Sequence, residues 1–469
     1  MRIEVEDNKT DEVYSLALKN KYFILLEHQR KRAPKGEHWI VEIFDQQLKK
    51  SGNKEFFLPR EFRLFSHKLE GDSVVWICFA EPDGNNASLM LYRINLKTGF
   101  MVHAYLKGSR KARLVGIEVL NNKLVVIGES LEDIQEQINM LKLPAGIEIV
   151  APSFPEYAHI LASKAIANNV VVMVNFYKGS ETGLFYFEYS GLTTNLISNK
   201  LSEADKINLI DGSLIETSVG ELLFMGTYNK DMGKQPSKEQ IIALGTYIGK
   251  IRNQQFDFFK TNEFSEFVNI FSTLNYNEQL KAKQKVSKGK DVNLGFKLLI
   301  HEKSIKQGDL YVLVAESYYP EYHYENNFDS RGYMYQMEVF DGYRTTNCMV
   351  AAFNAQGRLI WDNYMHVSDV RDYTLQENIL VFPEADSSIV MAYYSREEIN
   401  SKAVKGSEVV YKKSSDKVET VYGENIISEE SGRIDAWYDN YFILSGHQIV
   451  IGKDSKKRKV FYFNLISFE

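Results

Sequence analysis

The sequence predicts an all-β fold of successive small antiparallel sheets, and three observations carry that expectation. First, short and strongly apolar runs recur, among them "KYFILLEHQ" (21–29), "SVVWICFAE" (73–81), "NVVVMVNFY" (169–177) and "DLYVLVAES" (309–317). Their β-branched and aromatic content suits strands packed on both faces. Second, such runs are followed by hairpins whose turns are built on Gly, Asn or Asp: Leu89 to Leu106, Gly183 to Ile197, Met349 to Val367 and, more loosely, Trp39 to Leu58. Third, the unit returns at about 50 residues, which is the mark of a propeller blade. The expectation is a β-propeller of eight blades forming a single domain over residues 1–469, with seven blades the nearest alternative and a pair of β domains the third.

Taken in order, the first module covers Glu12 to Pro59 and the second Arg60 to Lys107. The third, Ser109 to Pro152, holds "KLVVIGES" and then "LEDIQEQIN", which reads as a short helical turn or a divergent strand. The fourth runs from Ser153 to Lys200 and the fifth from Leu201 to Thr261, around "ELLFMGTY" and "QIIALGTYIG". The sixth runs from Asp291 to Val367 and the seventh from Ser368 to Gly423. The last, Glu424 to Glu469, is one strand short, and the N-terminal "RIEVE" is expected to supply the fourth and close the ring.

Two segments depart from this rhythm. Near 262–288 the spacing predicts an amphipathic helical insertion (262–290 at its widest). Asn262 is its N-cap, Glu263 and Glu266 lie in its first turn, and Phe264, Phe267, Val268, Phe271 and Leu274 form one apolar stripe. Residues 317–347 read as a long Tyr-rich loop inserted between two strands that ought to be adjacent. Its candidate binding residues are Tyr318, Tyr319, Tyr322, Tyr324, Arg331, Tyr333, Tyr335, Phe340, Tyr343 and Arg344. Tyrosine offers amphipathic contact area at low entropic cost, and arginine is favoured at binding hot spots.

Composition excludes several classes. The chain has 469 residues, 44% hydrophobic and 13% aromatic, ample for a core, and a net charge of -6, against a nucleic-acid partner. The basic run Lys453 to Lys459 reads as a solvated turn. No run approaches 18 apolar residues, so no transmembrane helix is expected. "MRIEVEDNKT" is not a signal peptide, so the expectation is a cytoplasmic chain or one whose leader has been removed. Cys78 and Cys348 sit in apolar runs and read as buried small hydrophobes. There is no GxSxG elbow, no phosphate loop at Gly108 to Arg113 and no dinucleotide fingerprint. Glu321, His323, Glu325, Asp329, Glu338 and Asp341 lack a recognised metal-ligand spacing, and His301 and His447 read as strand residues. No catalytic residue, metal or cofactor is assigned.

The C-terminal third carries a resemblance. "LLIHE", "LYVLVAESYYPEY", "VFDGYRTTNCMVAAFNAQGRLIWDN" and "AWYDNYFILSGHQIVI", ending in "RKVFYFNLISFE", resemble a family of uncharacterised propeller-like proteins of Gram-negative bacteria, most specifically over residues 292–469. "FDGYR" (Phe340 to Arg344) is its hallmark. The resemblance implies no activity. It does imply an exported, envelope-associated location, although members usually carry an export signal that this chain lacks. The leading expectation is a non-enzymatic scaffold that holds a protein partner, such as an envelope complex, with the Tyr-rich loop and the helix stripe. The alternative is a carbohydrate- or peptide-binding protein or hydrolase acting at the propeller mouth.

Overall fold

Within the computed structural model, the described residues are 2–6, 10–33, 36–81, 88–109, 112–154, 158–178, 181–190, 194–201, 207–218, 220–230, 242–273, 279–281, 284–285, 294–328, 331–418, 420, 424–452 and 456–467. Among them the strands form eight small sheets, most of four strands joined in sequence order, the up-and-down pattern of propeller blades. The all-β expectation is met.

The turns show why the pattern is regular. In the Leu89–Asn95 to Met101–Leu106 hairpin, the Asn95 carboxamide oxygen accepts the amides of Lys97 and Thr98, both at 3.0 Å. Asn354 repeats this with the amides of Gln356 (3.1 Å) and Arg358 (2.9 Å), and Asp45 with those of Gln47 and Lys49 (2.9 Å each). A short polar side chain thus replaces the ladder partner where the chain reverses.

The chain groups into two compact units. The first spans Met1–Lys200, Thr420–Glu430 and Asp435–Glu469. In it Arg2–Glu6 pairs with Lys457–Ser467, completing the C-terminal sheet as the sequence predicted. Its third sheet differs: Glu132–Met140 is an α-helix with Ile134 and Ile138 buried, and Glu148–Val150 returns parallel to Lys123–Glu129.

The second unit spans Leu201–Glu419 and Ser431–Ile434. One sheet runs Asn208–Ser218, Glu221–Asn229, Gly245–Arg252, Gln255–Glu263. The next runs Leu298–Ile300, Leu310–Phe328, Met334–Asn354, Leu359–Asp372, with Ile305–Gln307 beside Leu310–Phe328. The third runs Leu380–Pro383, Ile389–Ser395, Glu398–Lys405, Glu408–Lys417. The middle sheet is apolar on both faces. Leu313 and Ala351 pack with Met225, Ile248 and Phe264, while Val314 and Val350 pack with Met391 and Val404. This double burial is why "LYVLVAES" reads as continuous rather than alternating.

Two expectations are corrected here. The Phe stripe is not on a helix. Asn262 is a strand residue opposite Thr246, and the chain then makes two 3-10 turns, Phe264–Glu266 and Ile270–Thr273. Among the described residues, α-helical backbone of this segment lies later, at 279–281 and 284–285. The physical cause is remote: the Asp362 carboxylate accepts the amides of Val268 (2.8 Å), Asn269 (2.8 Å) and Ile270 (3.1 Å), which a continuous helix would have needed. Phe264 and Phe267 are buried in the core, whereas Val268 is 78% exposed. Of the remaining stripe, the Phe271 side chain and Leu274 lie outside the described residues. The second correction is the Tyr-rich segment. It is not a loop, because the strands Leu310–Phe328 and Met334–Asn354 run on past the sheet as one long hairpin.

Candidate functional site

The projecting hairpin gathers most of the residues singled out from the sequence. Paired residues on antiparallel strands share a face. Tyr322 opposes Phe340, Tyr324 opposes Glu338 and Phe328 opposes Met334 on one face; Glu325 opposes Met337 and Asn327 opposes Tyr335 on the other. Phe340 and Tyr343 are three residues apart and would fall on opposite faces of a regular strand. A bulge after Glu321 changes the register there, so that Tyr343 opposes Pro320 and joins the Tyr322 face.

The result is a continuous aromatic ladder. Ring centroids are separated by 5.7 Å for Tyr318 and Tyr343, 5.0 Å for Tyr343 and Phe340, and 5.4 Å for Phe340 and Tyr322. Tyr318 is buried at its base, and exposure rises outward through Tyr322 (45%) to Tyr324 (67%). Phe328, Tyr333 and Met334 are exposed at the far end. Tyr319 and Tyr335 are exposed as well, and so is Arg331.

Charges secure the base of the hairpin. Arg344 donates through Nε and Nη2 to the two oxygens of Glu321, both at 3.0 Å. Arg371 approaches the same carboxylate at 3.6 Å, and Asp369 bridges Arg344 (3.7 Å) to Arg396 (2.9 Å). Arg344 therefore braces the hairpin rather than presenting a free guanidinium. His323 lies between Asp341 (2.8 Å) and Glu325 (3.2 Å), whose hydrogen bonds raise its pKa above the ordinary imidazole value. Among the described residues no group of three or more His, Cys, Asp or Glu has the arrangement of a metal site.

Other ionisable groups serve the fold. His301 bonds Glu316 at 2.7 Å, and Glu316 also accepts the amides of Asn378 (2.9 Å) and Ile379 (2.8 Å). Burial opposes charging of His301, but the hydrogen bond it donates to Glu316 and the nearby Glu377 prevail and raise its pKa. Cys78 and Cys348 are fully buried, and burial pushes both thiols up. A separate cleft of about 440 Å³ lies within the second unit, lined by residues 259–262 of the Gln255–Glu263 strand and by Gly357 and Arg358 of the Asn354 turn. Sequence reasoning did not find it, since Arg358 is remote from the strand in sequence and Asn262 reads locally as a helix cap.

No protein-family description matches the chain, and no curated protein does. Solved structures of similar form include the polysaccharide lyase Uly1, at 8% identity and TM-score 0.41, covering 99% of this chain and 91% of that one. Another is the α-L-arabinofuranosidase Arb93A of Fusarium graminearum, at 9% identity and TM-score 0.31, covering 99% and 97%. A third is a DUF4221 family member from Bacteroides vulgatus, at 11% identity and TM-score 0.32, covering 100% and 99%.

These findings correct the scaffold expectation. Most of the named structures are glycoside hydrolases or a polysaccharide lyase, the class held as the alternative. The helix that was to share the grip is also not formed where its Phe stripe lies.

Proposed function

We propose that this chain recognises carbohydrate, with the hairpin ladder as the sugar-contacting surface. The observation that carries the proposal is the row of rings on one face of the hairpin, half-buried at Tyr343 and Phe340 and exposed at Tyr322, Tyr324 and Phe328. Aromatic faces carry negative charge density and suit the apolar C–H faces of a sugar ring, while phenol hydroxyls at their rims suit its hydroxyls. Paired strands hold the rings at fixed spacing, so little side-chain freedom is lost on binding. The Glu321–Arg344 pair anchors the base of that surface.

The test is calorimetric titration of the whole chain with a panel of neutral and acidic oligosaccharides, followed by Tyr322→Ala and Tyr324→Ala. Each stacked ring is worth about 0.5–1.5 kcal/mol, so the double variant is expected to bind at least about fivefold more weakly with its fold intact by circular dichroism. A panel in which nothing binds, or a double variant that binds as the parent does, overturns the reading.

A further inference from the structure

The cleft beside the Gln255–Glu263 strand has features that neither the fold nor the hairpin explains. Register sets Thr227 opposite Thr246, and Thr246 opposite Asn262, so three polar side chains form one row across three strands. All three are buried, Asn262 at 7% exposure, and among the described residues Thr227 Oγ1, Thr246 Oγ1 and Asn262 Nδ2 have no hydrogen-bond partner. A buried donor left unmet costs free energy, and native folds rarely leave several in one line. Asn262 is the end of the row that lines the cleft.

The charged part of the lining is cationic. Among the described residues Lys260 and Arg358 carry its only charges, and Ile207, Phe259, Thr261 and Gly357 complete it. Lys260 is held in place, donating to the Gln356 carbonyl at 2.8 Å. Gly357 lets the turn sit close: at φ +74° a Cβ there would lie 2.6 Å from the Phe258 ring. Arg358 is exposed, and a guanidinium pairs with a carboxylate through two parallel N–H bonds. The last strand of the sheet also presents its outer edge, with backbone donors and acceptors for hydroxyls.

We infer that this cleft binds a small hydroxylated carboxylate of the size of a hexuronate sugar, its acid group on Arg358 and Lys260 and a hydroxyl on Asn262. A volume of about 440 Å³ admits one such ring with room for its hydration. The site stands independently of sugar binding at the hairpin.

Titration of the whole chain with sodium glucuronate tests this, with glucose as the neutral counterpart and acetate as the bare anion. Glucuronate is expected to bind at least about tenfold more tightly than either. Arg358→Ala, at an exposed position, is expected to remove about tenfold of that affinity. Asn262→Asp, which sets a like charge in the cleft, is expected to remove more. Tyr322→Ala on the hairpin should leave glucuronate affinity unchanged. Equal binding of glucose, equal binding of acetate, an Arg358→Ala variant as tight as the parent, or a loss seen at Tyr322 rather than Arg358 would each overturn the inference.

Discussion

At the residue scale, Gly342 sets the geometry of the "FDGYR" segment. It stands at φ +119°, a region that L side chains rarely adopt, and a Cβ there would lie 2.7 Å from the Asp372 carbonyl oxygen. The same bulge puts Phe340 and Tyr343 on one face. "FDGYR" therefore reads as a backbone device that assembles the ladder, with Arg344 bracing it through Glu321. Gly342→Ala is expected to cost about 1–3 kcal/mol of stability by chemical denaturation and to break the Phe340–Tyr343 contact, seen as a change in near-ultraviolet circular dichroism. An unchanged unfolding midpoint would refute the strain argument. The concentration of tyrosines was legible in the sequence; the bulge was not, because it depends on which residues the opposite strand supplies.

At the scale of elements, the segment from Phe264 to Thr273 shows where periodicity misleads. Apolar residues at i, i+3 and i+4 match one helical face, yet Phe264 and Phe267 reach the core from a single 3-10 turn closed by Glu263 and Glu266. The decision is made by Asp362, 92–94 residues away in sequence, whose carboxylate collects three successive amides. Burial raises the pKa of Asp362, and those amides oppose the shift. Asp362→Ala would leave three amides without their acceptor and is expected to destabilise the protein by about 2–4 kcal/mol, with Asn restoring part of that. Hydrogen exchange at Val268, Asn269 and Ile270 is the direct check: exchange as slow as in the parent would show that the carboxylate does not hold the segment. The turns on Asn95 and Asn354, by contrast, were readable because their whole hydrogen-bonding lies within a few residues.

At the scale of the molecule, the repeat of small sheets was readable because each carries its own run of apolar strands, and the C-terminal sheet is completed by a long-range pairing that the strand count anticipated. Arg2–Glu6 lies against Lys457–Ser467 with Ile3 opposite Phe463 and Val5 opposite Phe461. Ile3 and Val5 pack with Phe23, Ile443 and Phe463. Arg2 sits 4.2 Å from the centre of the Tyr462 ring and donates to Gln448 at 2.7 Å. Removing residues 2–6 strips a full row of ladder bonds from the Lys457–Ser467 strand and uncovers its apolar side chains. Two half-buried aliphatic residues and their strand pairing are worth about 2–4 kcal/mol, so the truncated chain is expected to unfold at lower denaturant. Its second expected behaviour separates this from ordinary destabilisation. A newly bared edge templates pairing with another chain, so the truncated protein should form concentration-dependent oligomers while still folded, measurable by light scattering below the unfolding transition. An added synthetic peptide of sequence RIEVE should compete with that association. Truncation that lowers stability without oligomers would mean that the edge is shielded by something other than its N-terminal partner.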